Sequence, residues 1–175
     1  MKRATFASLV LGAIFVSEST MAMKSLDRWN WSHNIEFTAK KVEQPTTVEE
    51  VQTAVKDARG NVKVVGTAHS FSDIADTDGT HITLKNFTDI TVDSAAPVGK
   101  QTVTFGAGIT YTQLINALKL EKLAIQNLPS LPHLNVVGSV ITGTHGSGIF
   151  KTSMATYVTE IAFVDASGRT KRLTR

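Results

Sequence analysis

The apolar run VKVV, Val62 to Val65, passes directly into GTAHSFSDIADTDG, Gly66 to Gly79. A short apolar run of this kind suits a buried strand. The glycine, two small residues, histidine and polar turn formers that follow it extend neither a strand nor a helix. A second stretch, LPSLPHLNVVGSVITGTHGSG from Leu128 to Gly148, has the same character, with Pro129, Pro132, Gly138, Gly143, Gly146 and Gly148 breaking it repeatedly. Glycines recur where a chain turns tightly or lets another group approach its backbone. Whatever this chain folds into must present two glycine-containing loops, Gly66 to Ser70 and Thr142 to Gly148, at the ends of apolar segments.

Between these loops the residues alternate in character. NIEFTAKKVEQP predicts a strand from about Ile35 to Val42, closed by Pro45. TVEE then supplies a capping box, with Thr47 as N-cap and Glu50 three residues on. Val48, Val51, Val55 and Ala58 fall on one helical face and Gly60 suits the stop. HITLKNFTDITVD and QTVTFGAG read as strands separated by the turn SAAPVGK, on their valine, threonine and phenylalanine content. A second capping box at Thr110 and Gln113 opens a helix from about Tyr111 to Leu120, with Leu114, Leu118, Ala117 and Ile115 toward the core. Tyr157 to Asp165 and Arg169 to Leu173 read as a hairpin turning at Ser167 and Gly168. The fold class is α+β, a small sheet with helices from the first half against a larger mixed or antiparallel sheet from the second.

At 175 residues, 42% hydrophobic and 19% charged, the chain is long enough for one domain with a proper core and too short for two large ones. The absence of cysteine removes disulfides, thiolate metal sites, thiol nucleophiles and thioether links to a cofactor, leaving histidine as the residue for any covalent attachment. The net charge of +3 is scattered, with one short basic tail, GRTKRLTR, so nucleic acid is not an expected partner. Residues 1–22 read as a secretory signal: a basic MKR, an apolar stretch from Ala4 to Val16, and Thr20 and Ala22 spaced like a cleavage site. The apolar stretch is shorter than the roughly 20 residues of a membrane span, and Glu18 interrupts it. The expected location is secreted or periplasmic. The alternatives are an N-terminal helix packed on the domain, or a cytoplasmic chain starting at Met21 or Met23.

The two glycine loops expose backbone amides of the kind that bind phosphate, although neither matches a dinucleotide fingerprint or a Walker loop. Plain tight turns remain the competing reading. His69, His133 and His145 sit in loops, His81 in a predicted strand and His33 near the domain start. No H-x-H or H-E-x-x-H spacing joins them, so no metal site is expected. Ser130, Ser139 and Ser147 lack a G-x-S-x-G elbow, and Asp76 with Asp78 reads as a solvated turn.

Four segments in order, NWSHNIEFTAKKVEQPTTVEEVQ, VVGTAHSFSDIADTDG, LPSLPHLNVVGSVITGTHGSG and VTEIAFVDASG, resemble the flavin-binding domain of alditol and xylitol oxidases, within the vanillyl-alcohol oxidase superfamily. The resemblance runs from about Trp29 to Arg175 and implies a PCMH-type FAD-binding fold, two small α/β subdomains with FAD between them, over residues 29–175. It implies that His69, the histidine of the H-S-F motif, carries FAD covalently through the flavin 8α-methyl group. It further implies FAD contacts from Val64, Val65, Gly66, Thr67, Ala68, Ser70, Ser130, Asn135, Gly138, Thr142, Gly143, Thr144 and His145. Ser130 is also placed beside the substrate.

This chain departs from the family at Thr67 and Ala68, where members often carry Ser and Gly, and at Asn135, where Ser is common. Ala68 is strained if its φ is positive. Family members also continue well past Arg175 into a substrate domain, so the catalytic residues of that domain have no counterpart here. The expected activity is oxidation of a CH–OH group of a sugar alcohol such as xylitol, with O₂ as acceptor, giving aldehyde and hydrogen peroxide. Two alternatives accompany it: a truncated flavin-binding scaffold without turnover, and part of an aldonolactone oxidase.

Overall fold

A computed structural model of the chain describes residues 28–175, and the expected leader over 1–22 lies outside the described residues. The first half forms a parallel three-stranded sheet of β1 (Lys41–Glu43), β2 (Val62–Val64) and β3 (Thr80–Ile82), with β3 in the middle. All three residues of β3 are buried, and the His81 imidazole bonds the Ala75 carbonyl at 2.8 Å.

The first strand is shorter than its β-branched content predicts. Asn30 Oδ1 accepts the amides of Asn34 and Ile35 at 3.0 and 3.1 Å, which folds the segment into a turn. Downstream, the Asp76 carboxylate accepts both the amide and the hydroxyl of Thr38, at 2.8 and 2.9 Å. Side chains satisfy backbone groups that would otherwise join a ladder, so regular pairing begins only at Lys41. Asp76 is thus a structural anchor. Although burial opposes it, the bonds from Thr38 hold its carboxyl below the usual range.

VKVV is likewise corrected. It is an edge strand rather than a buried one, with Val64 54% exposed while Val65 is 2% exposed. Helix α1 (Val48–Asp57) connects β1 to β2 and carries the expected capping box: Thr47 Oγ1 accepts the Glu50 amide at 3.2 Å and the Glu50 carboxylate turns back to the Thr47 amide. Its valine face is half-buried.

HITLKNFTDITVD divides into β3 and β4 (Ile90–Asp93), because a turn from Leu84 to Phe87 intervenes and buries Phe87. Strand β4 pairs antiparallel with β5 (Thr102–Phe105). Helix α2 (Tyr111–Leu120) starts at its Thr110–Gln113 capping box, as its sequence predicts, and buries Tyr111, Leu114 and Leu118. These join Val103, Ile109, Val136 and Met154 in the main core. Strands β6 (Glu160–Val164) and β7 (Thr170–Thr174) form the predicted hairpin, which begins three residues later than expected because Met154–Tyr157 is a 3₁₀ turn. The second half therefore holds two separate strand pairs rather than one larger sheet. No helix among the described residues is long and apolar enough to cross a membrane.

Candidate FAD-binding site

The turn that leaves β2 and a short helix, α3 (Val136–Ile141), face each other across a cavity of about 360 Å³, which falls within the ordinary range for small-molecule sites. The helix lies in the stretch whose glycines read as successive turns. Its start is set by Asn135, whose Oδ1 accepts the Gly138 amide at 2.7 Å. The Asn135 Nδ2 donates to the carbonyls of Ala107 and Ile109, at 2.8 and 3.2 Å. An asparagine can cap a helix and donate at the same time; a serine at this position has one donor and a shorter reach.

The two walls are tied together directly. The Asn135 amide donates to Thr67 Oγ1 at 3.1 Å. Gly66 lies against the same residue, and a Cβ added there would stand 2.9 Å from Asn135 Cβ. This glycine is required by close approach.

Of the residues singled out from sequence, Val64, Val65, Gly66, Thr67, Ala68, His69, Ser70, Asn135, Gly138, Thr142 and Thr144 line this cavity. Ser130, Gly143 and His145 do not. Ser130 is solvent-exposed, and the His145 ring is turned to the neighbouring Gly146 carbonyl at 2.9 Å. Ala68 has φ of 55°, so the alanine occupies the left-handed conformation that glycine favours.

The cavity suits a flat ring bearing phosphates. Among the described residues, no acceptor takes the amide N–H groups of Gly66 to Ser70 or of His145 to Gly148. Consecutive free amides of this kind form anion-binding concavities. Beside them the wall is apolar, with Val64, Phe71, Ile74 and Ile141 exposed. Among the described residues no cluster of three metal-ligating side chains exists.

His69 occupies the end of the first wall and has two neighbours that sequence reasoning did not assign. The Trp31 indole stacks on its ring with centroids 4.3 Å apart and planes at 23°. His133 Nε2 lies 2.6 Å from His69 Nε2. Burial, and then the charge of His133, hold the His69 imidazole below the ordinary histidine range. No sequence spacing links residues 31, 69 and 133. The only signal was that each lies within a segment carrying the family resemblance.

The model of the FAD-binding domain family matches residues 39–174. The chain belongs to this family of FAD-binding domains. Within it, the chain is 38% identical over 147 residues to an alditol oxidase from a Streptomyces species, covering 82% of this chain and 34% of that protein. It is 36% identical over 149 residues to an L-gulonolactone oxidase from Mus musculus, covering 83% of this chain and 33% of the relative. A D-arabinono-1,4-lactone oxidase from Yarrowia lipolytica is 32% identical over 154 residues, covering 86% and 29%. The chain thus spans about a third of the length of these curated relatives. Cholesterol oxidase from Brevibacterium sterolicum superposes with a TM-score of 0.70 over 91% of this chain and 35% of that one, at 20% identity, which shows the PCMH-type FAD-binding fold.

Proposed function

We propose that this FAD-binding domain is the flavin portion of an oxidase acting on a CH–OH group of a sugar alcohol such as xylitol, with FAD joined covalently to His69. The observation that carries the reading is the position of His69, at the end of a wall of free backbone amides and beside an apolar face. FAD, when bound, supplies hydride acceptance from the carbinol and returns the electrons to O₂, giving aldehyde and hydrogen peroxide.

The chain's own residues bind and orient. The amides of Gly66 to Ser70 donate to negatively charged phosphate oxygens, Thr67 and Asn135 hold the two walls in register, and α3 closes the cavity behind them. Thr142 and Thr144 extend the second wall, and Gly143, His145 and Ser130, which lie outside the cavity lining, are assigned to FAD and substrate by the family resemblance alone. None of the wall residues is assigned to removal of the carbinol proton.

An aldonolactone substrate is the second reading, favoured by the nearly equal identity to L-gulonolactone oxidase. The residues at 1–22 fit a secretory leader, which N-terminal sequencing of the mature protein tests.

The test is in-gel flavin fluorescence of acid-precipitated protein, alongside His69→Ala, followed by peroxide release with xylitol and with L-gulono-1,4-lactone. A fluorescent band lost in the variant, with peroxide from xylitol, supports the alditol reading. Peroxide from the lactone alone supports the second reading. Flavin loading without peroxide from either leaves a scaffold that does not turn over.

A further inference from the structure

We propose that His133 prepares His69 for flavin attachment by holding the proton on His69 Nε2, so that the lone pair on His69 Nδ1 forms the covalent bond. This rests on the reading that FAD is joined to His69.

The geometry is specific about which nitrogen is committed. His69 Nε2 and His133 Nε2 are 2.6 Å apart, a distance at which one must donate and the other accept. Among the described residues no partner is bonded to His69 Nδ1. A neutral imidazole has one N–H and one lone pair, and the bond made by one nitrogen sets the state of the other. With His133 accepting, the proton sits on Nε2 and the nucleophilic lone pair on Nδ1.

The ring is also held in place. Trp31 stacks on one face, and its own amide donates to the Ala68 carbonyl at 2.9 Å. Asn30 Nδ2 bonds the Ser70 carbonyl at 2.9 Å, so the loop is pinned on both sides of His69. His133 lies with its ring centroid 4.5 Å from that of His69, at 44°. No carboxylate is bonded to either imidazole, which leaves His133 as the basic group in reach of His69 among the described residues. Two histidines alone do not make a metal site, and no third ligand joins them among the described residues. Burial, and then His133, hold the His69 imidazole below the ordinary histidine range, which favours the neutral form that a nucleophile requires.

The step balances. A bond forms between His69 Nδ1 and the 8α carbon of FAD, and one 8α C–H bond breaks, its proton leaving to water. The proton on His69 Nε2 passes to His133 and then to solvent. The two electrons remain on the isoalloxazine and pass to O₂, which takes up two protons and leaves as hydrogen peroxide. His133 is a positioning residue in this scheme, acting on FAD through His69.

The experiment mixes apoprotein, produced under riboflavin limitation, with FAD in air. It follows covalent incorporation by mass and by fluorescence after acid precipitation, and non-covalent binding by flavin fluorescence quenching. His133→Ala is expected to bind FAD as the parent does and to attach it about 100-fold more slowly, the usual size of a proton-transfer contribution. His133→Gln, which keeps an acceptor without a basic site, should lie between them. Added imidazole should restore much of the rate in His133→Ala. Attachment by His133→Ala at the parent rate overturns the proposal, as does loss of non-covalent FAD binding or a slow rate that imidazole leaves unchanged, since both describe a packing role. A parent chain that binds FAD and never becomes labelled rejects attachment at His69 itself, and the proposal with it.

Discussion

The Asn135 amide donates to Thr67 Oγ1 at 3.1 Å, across 68 residues of sequence, and this bond fastens the loop after β2 to the first turn of α3. Asn135 in turn spends its side chain inside the protein, on the Gly138 amide and on the carbonyls of Ala107 and Ile109. The two walls of the candidate FAD cavity are therefore one hydrogen-bonded unit.

Removing that unit is expected to cost more than a cap alone. Asn135→Ala should lower stability by about 2–4 kcal/mol, combining a lost N-cap with the half-buried Ala107 carbonyl left without its donor, while the Ile109 carbonyl keeps the Val136 amide. Asn135→Ser should cost roughly half as much, since the cap survives while the donor to both carbonyls is lost. Urea unfolding of the three proteins measures the difference, and equal losses would show that the carbonyl bonds contribute nothing.

Thr67→Val removes the acceptor for the Asn135 amide while keeping the side-chain shape. It should destabilise the fold by about 1 kcal/mol and weaken FAD binding more than Thr67→Ser, which keeps the hydroxyl. Fluorescence titration with FAD distinguishes the two.

Ala68 has φ of 55°. A left-handed alanine costs about 1–2 kcal/mol, from which the greater chain entropy of glycine subtracts roughly 0.5–1 kcal/mol. Ala68→Gly is therefore expected to raise stability by up to about 1.5 kcal/mol, seen as a higher urea midpoint at unchanged m. A lower midpoint would refute this.

Gly66→Ala would place a methyl 2.9 Å from Asn135 Cβ. The walls must then separate, at about 1–3 kcal/mol, with loss of FAD affinity exceeding that of any change on the exposed rim. Thermal melts with and without FAD read both quantities.

His69 supplies the pH dependence. Burial, with His133 adding, lowers its folded pKa below the unfolded value, so the unfolded chain binds more protons in the interval between the two. Stability of the flavin-free protein should consequently fall as pH drops below about 6.5 and level off beneath the folded pKa. His69→Gln should flatten that part of the profile. A parent profile with no slope there would show that the ring titrates as it does in the unfolded chain.

Local chemistry was legible in the chain. The two capping boxes at Thr47 and Thr110 specify α1 and α2 because every partner lies within three residues, and the β6–β7 hairpin follows from alternation around Gly168. The cavity-lining residues of the first wall were named because they are consecutive. What stayed hidden depends on partners distant in sequence. VKVV looks buried by composition, yet it lies at a sheet edge because β3 takes the centre. The segment from Ile35 to Lys40 has strand-forming residues, but Asn30 and Asp76 capture its backbone. Helix α3 was masked by glycine, whose helix-breaking cost Asn135 offsets through bonds to Ala107 and Ile109. The family motifs implied a role for His69 in FAD binding, and propensity cannot express its surroundings. Trp31 and His133 reach it only when the chain closes on itself, since stacking and hydrogen bonding act over a few ångströms of space and are blind to separations of 38 or 64 residues along the chain.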